Sequence, residues 1–113
     1  MLARKYRLRR SQDFKRVYRQ GKSIANRFLV LYYLENGLEH NRVGFSISKK
    51  LGKAVRRNYL KRILSQFYQQ IDRKIKEGYD MVIIVRHRTR EEEFQRIEIA
   101  FNDLLGKSGL LLD

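Results

Sequence analysis

The sequence predicts a single-domain α+β sandwich in which helices pack on a small mixed sheet, and three observations lead there. Leu60, Ile63, Leu64, Phe67, Ile71 and Ile75 recur at helical spacing and mark one long amphipathic helix. Met81 to Val85 (MVIIV) is an unbroken apolar run, as expected of a strand buried on both faces and often parallel to a neighbour. Between Arg42 and Ser48 (RVGFSIS), Val43, Phe45 and Ile47 alternate with Gly44, Ser46 and Ser48, the two-residue period of a half-buried strand. The chain has 113 residues, 42% of them hydrophobic, enough to close one core and too few for two. Proline is absent, and no repeat, low-complexity tract or linker interrupts residues 1–113, so a second domain has nowhere to begin.

In chain order, Ser11 is placed to cap a helix that carries Phe14, Val17 and Tyr18 on one side and stops at Gly21. A short strand is admissible near Lys22 to Ala25. Phe28 to Leu34 (FLVLYYL) is rich in β-branched and aromatic residues, and Asn36-Gly37 supplies a turn signal before the strand from Arg42. The two strands read as an antiparallel hairpin. After the loop Lys49 to Lys53 comes the long helix, expected to end at Gly78. The buried strand follows, and a last helix starts at about Glu91, burying Phe94, Ile97, Phe101, Leu104 and Leu105. Glu91, Glu92 and Glu93 suit the positive end of that helix. The order is α-β-β-(β)-α-β-α.

Charge narrows the function. There are 26 Lys and Arg against 12 Asp and Glu, a net charge of +14, which favours a polyanionic partner: nucleic acid, anionic membrane or acidic protein. The excess is concentrated. Residues 1–27 hold ten basic residues and one acid, residues 42–62 hold eight and none, and the remainder is slightly acidic. Two separated blocks imply a folded surface with a charged side rather than a basic tail. The basic residues sit on separate elements and not along one amphipathic helix, which argues against a membrane-active protein. The absence of cysteine excludes disulfides, thiol chemistry and Cys-ligated zinc. His40 and His87, the only histidines, lack carboxylates spaced to complete a metal site. The basic start MLARKYRLRR is followed by no apolar stretch of signal-peptide length, so a cytoplasmic location is expected.

The densest signal runs from Arg42 through Lys49, Lys50, Leu51, Gly52 and Lys53 to Arg56, Arg57, Asn58, Lys61 and Arg62. Cations at a helix N-terminus oppose the macrodipole and cost helix stability. The same placement makes a strong phosphate site, because free N–H groups, the dipole and guanidinium forks converge on one anion. Function therefore explains the cluster better than folding does. Asn58 suits a base edge or a ribose hydroxyl, and equally a helix cap. Lys49 to Lys53 is not a nucleotide-hydrolysing loop, since no second glycine stands at the required distance before a Lys-Ser/Thr pair. No Ser/His/Asp set or spaced carboxylate pair stands out, and no catalytic residue is assigned.

This segment, Gly44-Phe-Ser-Ile-Ser-Lys-Lys-Leu-Gly-Lys-Ala-Val-Arg-Arg-Asn-Tyr-Leu-Lys-Arg62, resembles the signature of the protein subunit of bacterial ribonuclease P. The core of that signature is an Arg-Asn-x-x-Lys-Arg helix, here Arg57, Asn58, Lys61 and Arg62. Leu8 to Ser23 and Ala25 to Arg27 are also similar, and the resemblance spans residues 6–105. One departure is Ser65-Gln66, where the family more often has Arg-Glu. The resemblance implies a protein that binds a large catalytic RNA, the complex removing the 5′ leader of precursor tRNA. It also implies that the chemistry belongs to the RNA and its magnesium ions, and that the protein alone is inactive, with no cofactor of its own and no obligate protein partner. A left-handed crossover would join the parallel strands, and the basic helix would face the catalytic RNA. Phe14, Tyr18 and Tyr32 match the family's cleft for the single-stranded leader, where unpaired bases stack on aromatic rings in positive surroundings. Without the resemblance, core packing is the better reading of Phe14 and Tyr18. A ribosomal-type scaffold that binds RNA without a leader cleft is the alternative function.

Overall fold

The computed structural model describes residues 2–112. Its main elements are α1 (Ser11–Gln20), β1 (Lys22–Ala25), β2 (Leu29–Glu35), β3 (Arg42–Ser46), α2 (Ala54–Ile71), β4 (Tyr79–Val85) and α3 (Phe94–Ser108). The four strands form one mixed sheet in the order β1-β2-β4-β3. β4 runs antiparallel to β2 and parallel to β3, so β3, α2 and β4 form a crossover unit.

The hairpin expected between β2 and β3 is therefore not formed, because β4 lies between them. The chain does turn at Asn36-Gly37, where Gly37 takes a φ of 73°, but the connection arches over the start of β4. Asn36 N–H donates to Gly78 O at 2.8 Å on one side, and Tyr79 N–H donates to Asn41 Oδ1 at 2.8 Å on the other. The preference is physical. Met81, Val82 and Ile83 are all essentially inaccessible, and such a run is best satisfied with a strand on each edge and cover on both faces.

Side chains alternate across this sheet. One face carries Leu31, Val43, Met81 and Ile83 into the main core, completed by Leu60, Ile63, Leu64 and Phe67 of α2 and by Ile97, Phe101, Leu104 and Leu105 of α3. The other face carries Val82 against Val17 of α1 and Leu8, with Phe14, Tyr32, Leu34 and Ile84 packed at its margin. α1 and α2 thus lie on opposite faces of the sheet. Ahead of α1, Leu8 N–H donates to Val43 O at 3.0 Å, and Arg7 pairs with Val43 in a parallel bridge. The N-terminal arm follows the free edge of β3.

Three boundaries differ from expectation. Ser11 is the first residue of α1; the cap position is Arg10, with no side-chain cap bond, and Asp13 supplies the favourable charge in the first turn. α2 ends at Ile71 rather than at Gly78, and a tight turn, Asp72–Lys74, follows. Ile75 is extended and bridges to Leu111. It stays buried, so a helical stripe and a buried extended residue give the same periodic signal. α3 starts at Phe94, with Glu91 to Glu93 ahead of it and no side-chain cap. Phe94 remains 37% exposed, leaning edge-on against Phe67 at 5.0 Å between ring centres. Among the described residues no helix is long and apolar enough to cross a membrane.

Candidate nucleic-acid interface

The basic cluster is built where β3 hands over to α2. Ser48 caps a tight turn, Lys49–Leu51, by accepting the Lys50 N–H on its hydroxyl at 3.3 Å. Leu51 is buried and anchors the turn. Gly52 then adopts a φ of 125°, a conformation open to glycine at little cost, and Lys53 takes the N-cap position of α2 without a side-chain cap bond. Lys49, Lys50 and Lys53 are all exposed. No acidic residue occupies the first turn of α2.

Within α2 the cations divide into two kinds. Lys61 and Arg62 are exposed, and among the described residues neither lies within ion-pair distance of a carboxylate. Arg62 stacks over Tyr59 at 5.5 Å. Arg57 is half-buried, with Nε donating to Gly52 O at 3.2 Å, which leaves its outer nitrogens free. Arg56 instead turns inward. Its guanidinium donates to the carbonyls of Arg90 at 2.8 Å, Glu92 at 2.9 Å and Thr89 at 3.3 Å, and so latches α2 to the loop before α3. Asn58 lies in the second turn, exposed, and so cannot be the helix cap; it stands beside Lys61 and Arg62 as a surface donor and acceptor. Ser65 and Gln66 continue this face one turn further on.

Arg42 departs from the expectation of a free cation. Its Nε and Nη2 donate to the two oxygens of Asp80 at 2.8 and 2.7 Å, and that bond raises the Arg42 pKa above its ordinary value, with burial opposing. Sequence reasoning passed over Asp80, since a lone aspartate at the start of an apolar strand carries no periodic or motif signal.

The aromatic residues meet on the opposite side of the sheet. Tyr18 and Tyr32 are 5.1 Å apart in an edge-to-face arrangement, and Phe14 lies 6.4 Å from Tyr18. Across the strands Ser23, Tyr32, Val82 and Gly44 share one row. Phe14 enters that row because Gly44 has no side chain: a Cβ there would stand 2.5 Å from the Phe14 ring. Tyr18 is 38% exposed, and Phe14 and Tyr32 are half-buried and pack on the Leu8, Val17 and Val82 cluster, so the three rings form a partly exposed aromatic surface beside α1. Lys15 and Arg19 of α1 are exposed nearby in sequence.

Residues 2–109 match the family model for ribonuclease P. The chain belongs to that family. It is 44% identical over 103 residues, 91% of this chain and 89% of the relative, to the ribonuclease P protein component of Caldanaerobacter subterraneus. It is 43% identical over 104 residues, 91% of this chain and 94% of the relative, to that of Clostridium botulinum strain Loch Maree. Among solved structures, the ribonuclease P protein of Staphylococcus aureus matches with a TM-score of 0.90 at 33% identity, covering 94% of this chain and 97% of that one. That of Thermotoga maritima matches with a TM-score of 0.82 at 33% identity, covering 89% and 96%. Membership carries the role of a protein component in tRNA 5′ processing, within an endoribonuclease holoenzyme that works with an RNA, and it does not favour a ribosomal scaffold.

Proposed function

We propose that the chain binds the catalytic RNA of ribonuclease P through the Lys49 to Lys53 turn and the outer face of α2, and holds the 5′ leader of precursor tRNA in a groove at Phe14, Tyr18 and Tyr32. The observation that carries this reading is the separation of the two surfaces by the sheet, since α2 packs on one face and α1 on the other. One protein can then touch its RNA and the substrate at once. Lys49, Lys50, Lys53, Arg57, Lys61 and Arg62 offer charges and forked donors to phosphates, and Asn58 a base edge or ribose hydroxyl contact. The groove offers flat rings whose stacking tolerates any sequence. Bond cleavage is assigned to the RNA and its magnesium ions, with the protein positioning substrate, acting in the cytoplasm and needing no protein partner. A mutant of the Staphylococcus aureus protein is described as defective in mRNA degradation activity, which makes the purified chain's own activity a point to measure.

The test replaces Phe14 and Tyr18 together by Leu, keeping apolar volume and removing the rings. Stacking is worth about 1–3 kcal/mol per base, so the reconstituted complex should bind precursor tRNA roughly ten to a hundred times more weakly. Mature tRNA, which has no leader, should bind as before, and assembly with the catalytic RNA should be intact. Equal weakening of both tRNAs would assign the rings to the core or to a general RNA surface.

A further inference from the structure

Asp80 is the one carboxylate among the described residues that is fully enclosed, at 0% exposure. Its oxygens are saturated. Oδ1 accepts from Asn36 Nδ2 at 3.0 Å and Arg42 Nε at 2.8 Å, and Oδ2 accepts from Arg42 Nη2 and from Arg16 Nη2. Asp13 closes the group, 3.8 Å from Arg42 and 3.9 Å from Arg16. Two guanidinium groups thus stand between two carboxylates, and neither Arg16 nor Arg42 is left with an uncompensated charge.

The geometry of α1 gives this group a consequence at a distance. At about 100° per residue, Asp13 and Arg16 fall on one flank of the helix and Phe14 and Tyr18 on the other. Val17, fully buried against Val82, lies between them as the pivot. On the sheet, Leu34, Asp80 and Arg42 share one row, and the row of Tyr32, Val82 and Gly44 lies two residues along, roughly 7 Å away. The ionic group fixes one flank of α1 over the first row while the rings hang from the other flank over the second. An apolar contact at Val17 alone would hold the helix down without fixing its rotation. Directional bonds to a buried carboxylate fix both.

We propose that Asp80 is a positioning residue for the leader groove, acting through Arg16 to set the rotation of α1 at which Phe14 and Tyr18 face Tyr32. This rests on the reading of that groove as the leader site. Asp80 touches no RNA; its effect is on the height and tilt of the rings above the sheet.

The experiment uses Asp80→Asn, Arg16→Met and Arg16→Lys in complexes reconstituted with the catalytic RNA, at a temperature where each variant is folded by circular dichroism. The readout is the leader advantage, the ratio of precursor to mature tRNA affinity, with Phe14 and Tyr18 replaced by Leu as reference. Asp80→Asn should lower the leader advantage about fivefold or more, the loss of one stacked base. Arg16→Met should do the same, and Arg16→Lys should restore most of it. The sign is decisive, because Asp80→Asn adds one positive charge and releases Arg16 toward phosphate. Electrostatics alone would raise the leader advantage, and an unchanged or raised value overturns the proposal. A lower melting temperature with an unchanged leader advantage also overturns it, leaving Asp80 structural. Should Asp80→Asn fail to fold, Arg16→Met decides, since it keeps the Asp80–Arg42 pair. If the Leu reference keeps the full leader advantage, the groove reading is what fails. Asp80 is then judged by proton contacts between the Tyr18 and Tyr32 rings: their loss in Arg16→Met supports the positioning role, and their persistence refutes it.

Discussion

Arg56 and Arg62 sit less than two turns apart on α2 and look equivalent in sequence, yet their replacement by Ala should have opposite consequences. Arg56 donates to three carbonyls of the 89–92 loop. At about 0.5–1.5 kcal/mol per net hydrogen bond, with the 3.3 Å contact to Thr89 counted lightly, the latch contributes about 2 kcal/mol. Removing a cation from the positive end of the helix returns about 0.5 kcal/mol, so Arg56→Ala should lose about 1.5 kcal/mol. For a domain of this size each kcal/mol shifts the melting temperature by about 4 °C, a fall of about 6 °C by circular dichroism. Arg62 lies mid-helix, beyond the reach of the end dipole, and has the ring of Tyr59 as its neighbour at 5.5 Å, an exposed contact worth about 0.5 kcal/mol. Its melting temperature should move by about 2 °C or less. Assembly with the catalytic RNA should show the reverse order, Arg62→Ala lowering the log-log salt slope by about one and Arg56→Ala lowering it far less. If Arg62→Ala melts as low as Arg56→Ala, or if Arg56→Ala removes a full unit of salt slope, the division of α2 into a latch and a free face is refuted.

Affinity for the catalytic RNA should fall steeply with salt across a titration from low to moderate ionic strength, since several unpaired cations release counterions on binding; a nearly flat slope would remove the phosphate-grip reading. The purified chain, assayed with precursor tRNA after complete removal of RNA, should leave the substrate intact, and cleavage under those conditions would place catalytic groups in the protein. Burial, with Asp72 adding to it, pushes the Tyr68 phenol above its ordinary value. A raised folded pKa means that the contribution to stability is fully present below the unfolded value of about 10 and is lost as pH climbs beyond it, by up to about 1.4 kcal/mol per pH unit. Urea unfolding above pH 10 should therefore be less pH-sensitive in Tyr68→Phe than in the parent chain, and identical slopes would contradict the assignment.

The helical stripe of α2, the apolar run of β4 and the alternation of β3 were legible in the sequence because each is a local period that a buried face imposes on its own residues. The charge blocks were legible for a similar reason: ten cations beside one acid in residues 1–27, and eight beside none in residues 42–62, outnumber any partner nearby in the chain. What the sequence could not decide was which strand pairs with which. A turn signal at Asn36-Gly37 is satisfied by a tight hairpin or by an arch wide enough to admit β4, and only the burial of both faces of β4 selects the arch. The fate of individual cations was equally out of reach. Arg42, Arg56 and Arg62 are the same residue in the same basic block, but one meets a buried carboxylate 38 positions away, one meets a loop more than 30 positions away, and one meets no carboxylate within ion-pair distance among the described residues. The sequence by itself determined the elements, the charge and the motif that resembles a family. The tertiary structure decided the strand order, the pairing of Asp80 with Arg16 and Arg42, and the meeting of Phe14, Tyr18 and Tyr32, because partners brought together by folding across distant positions leave no period for a sequence to show.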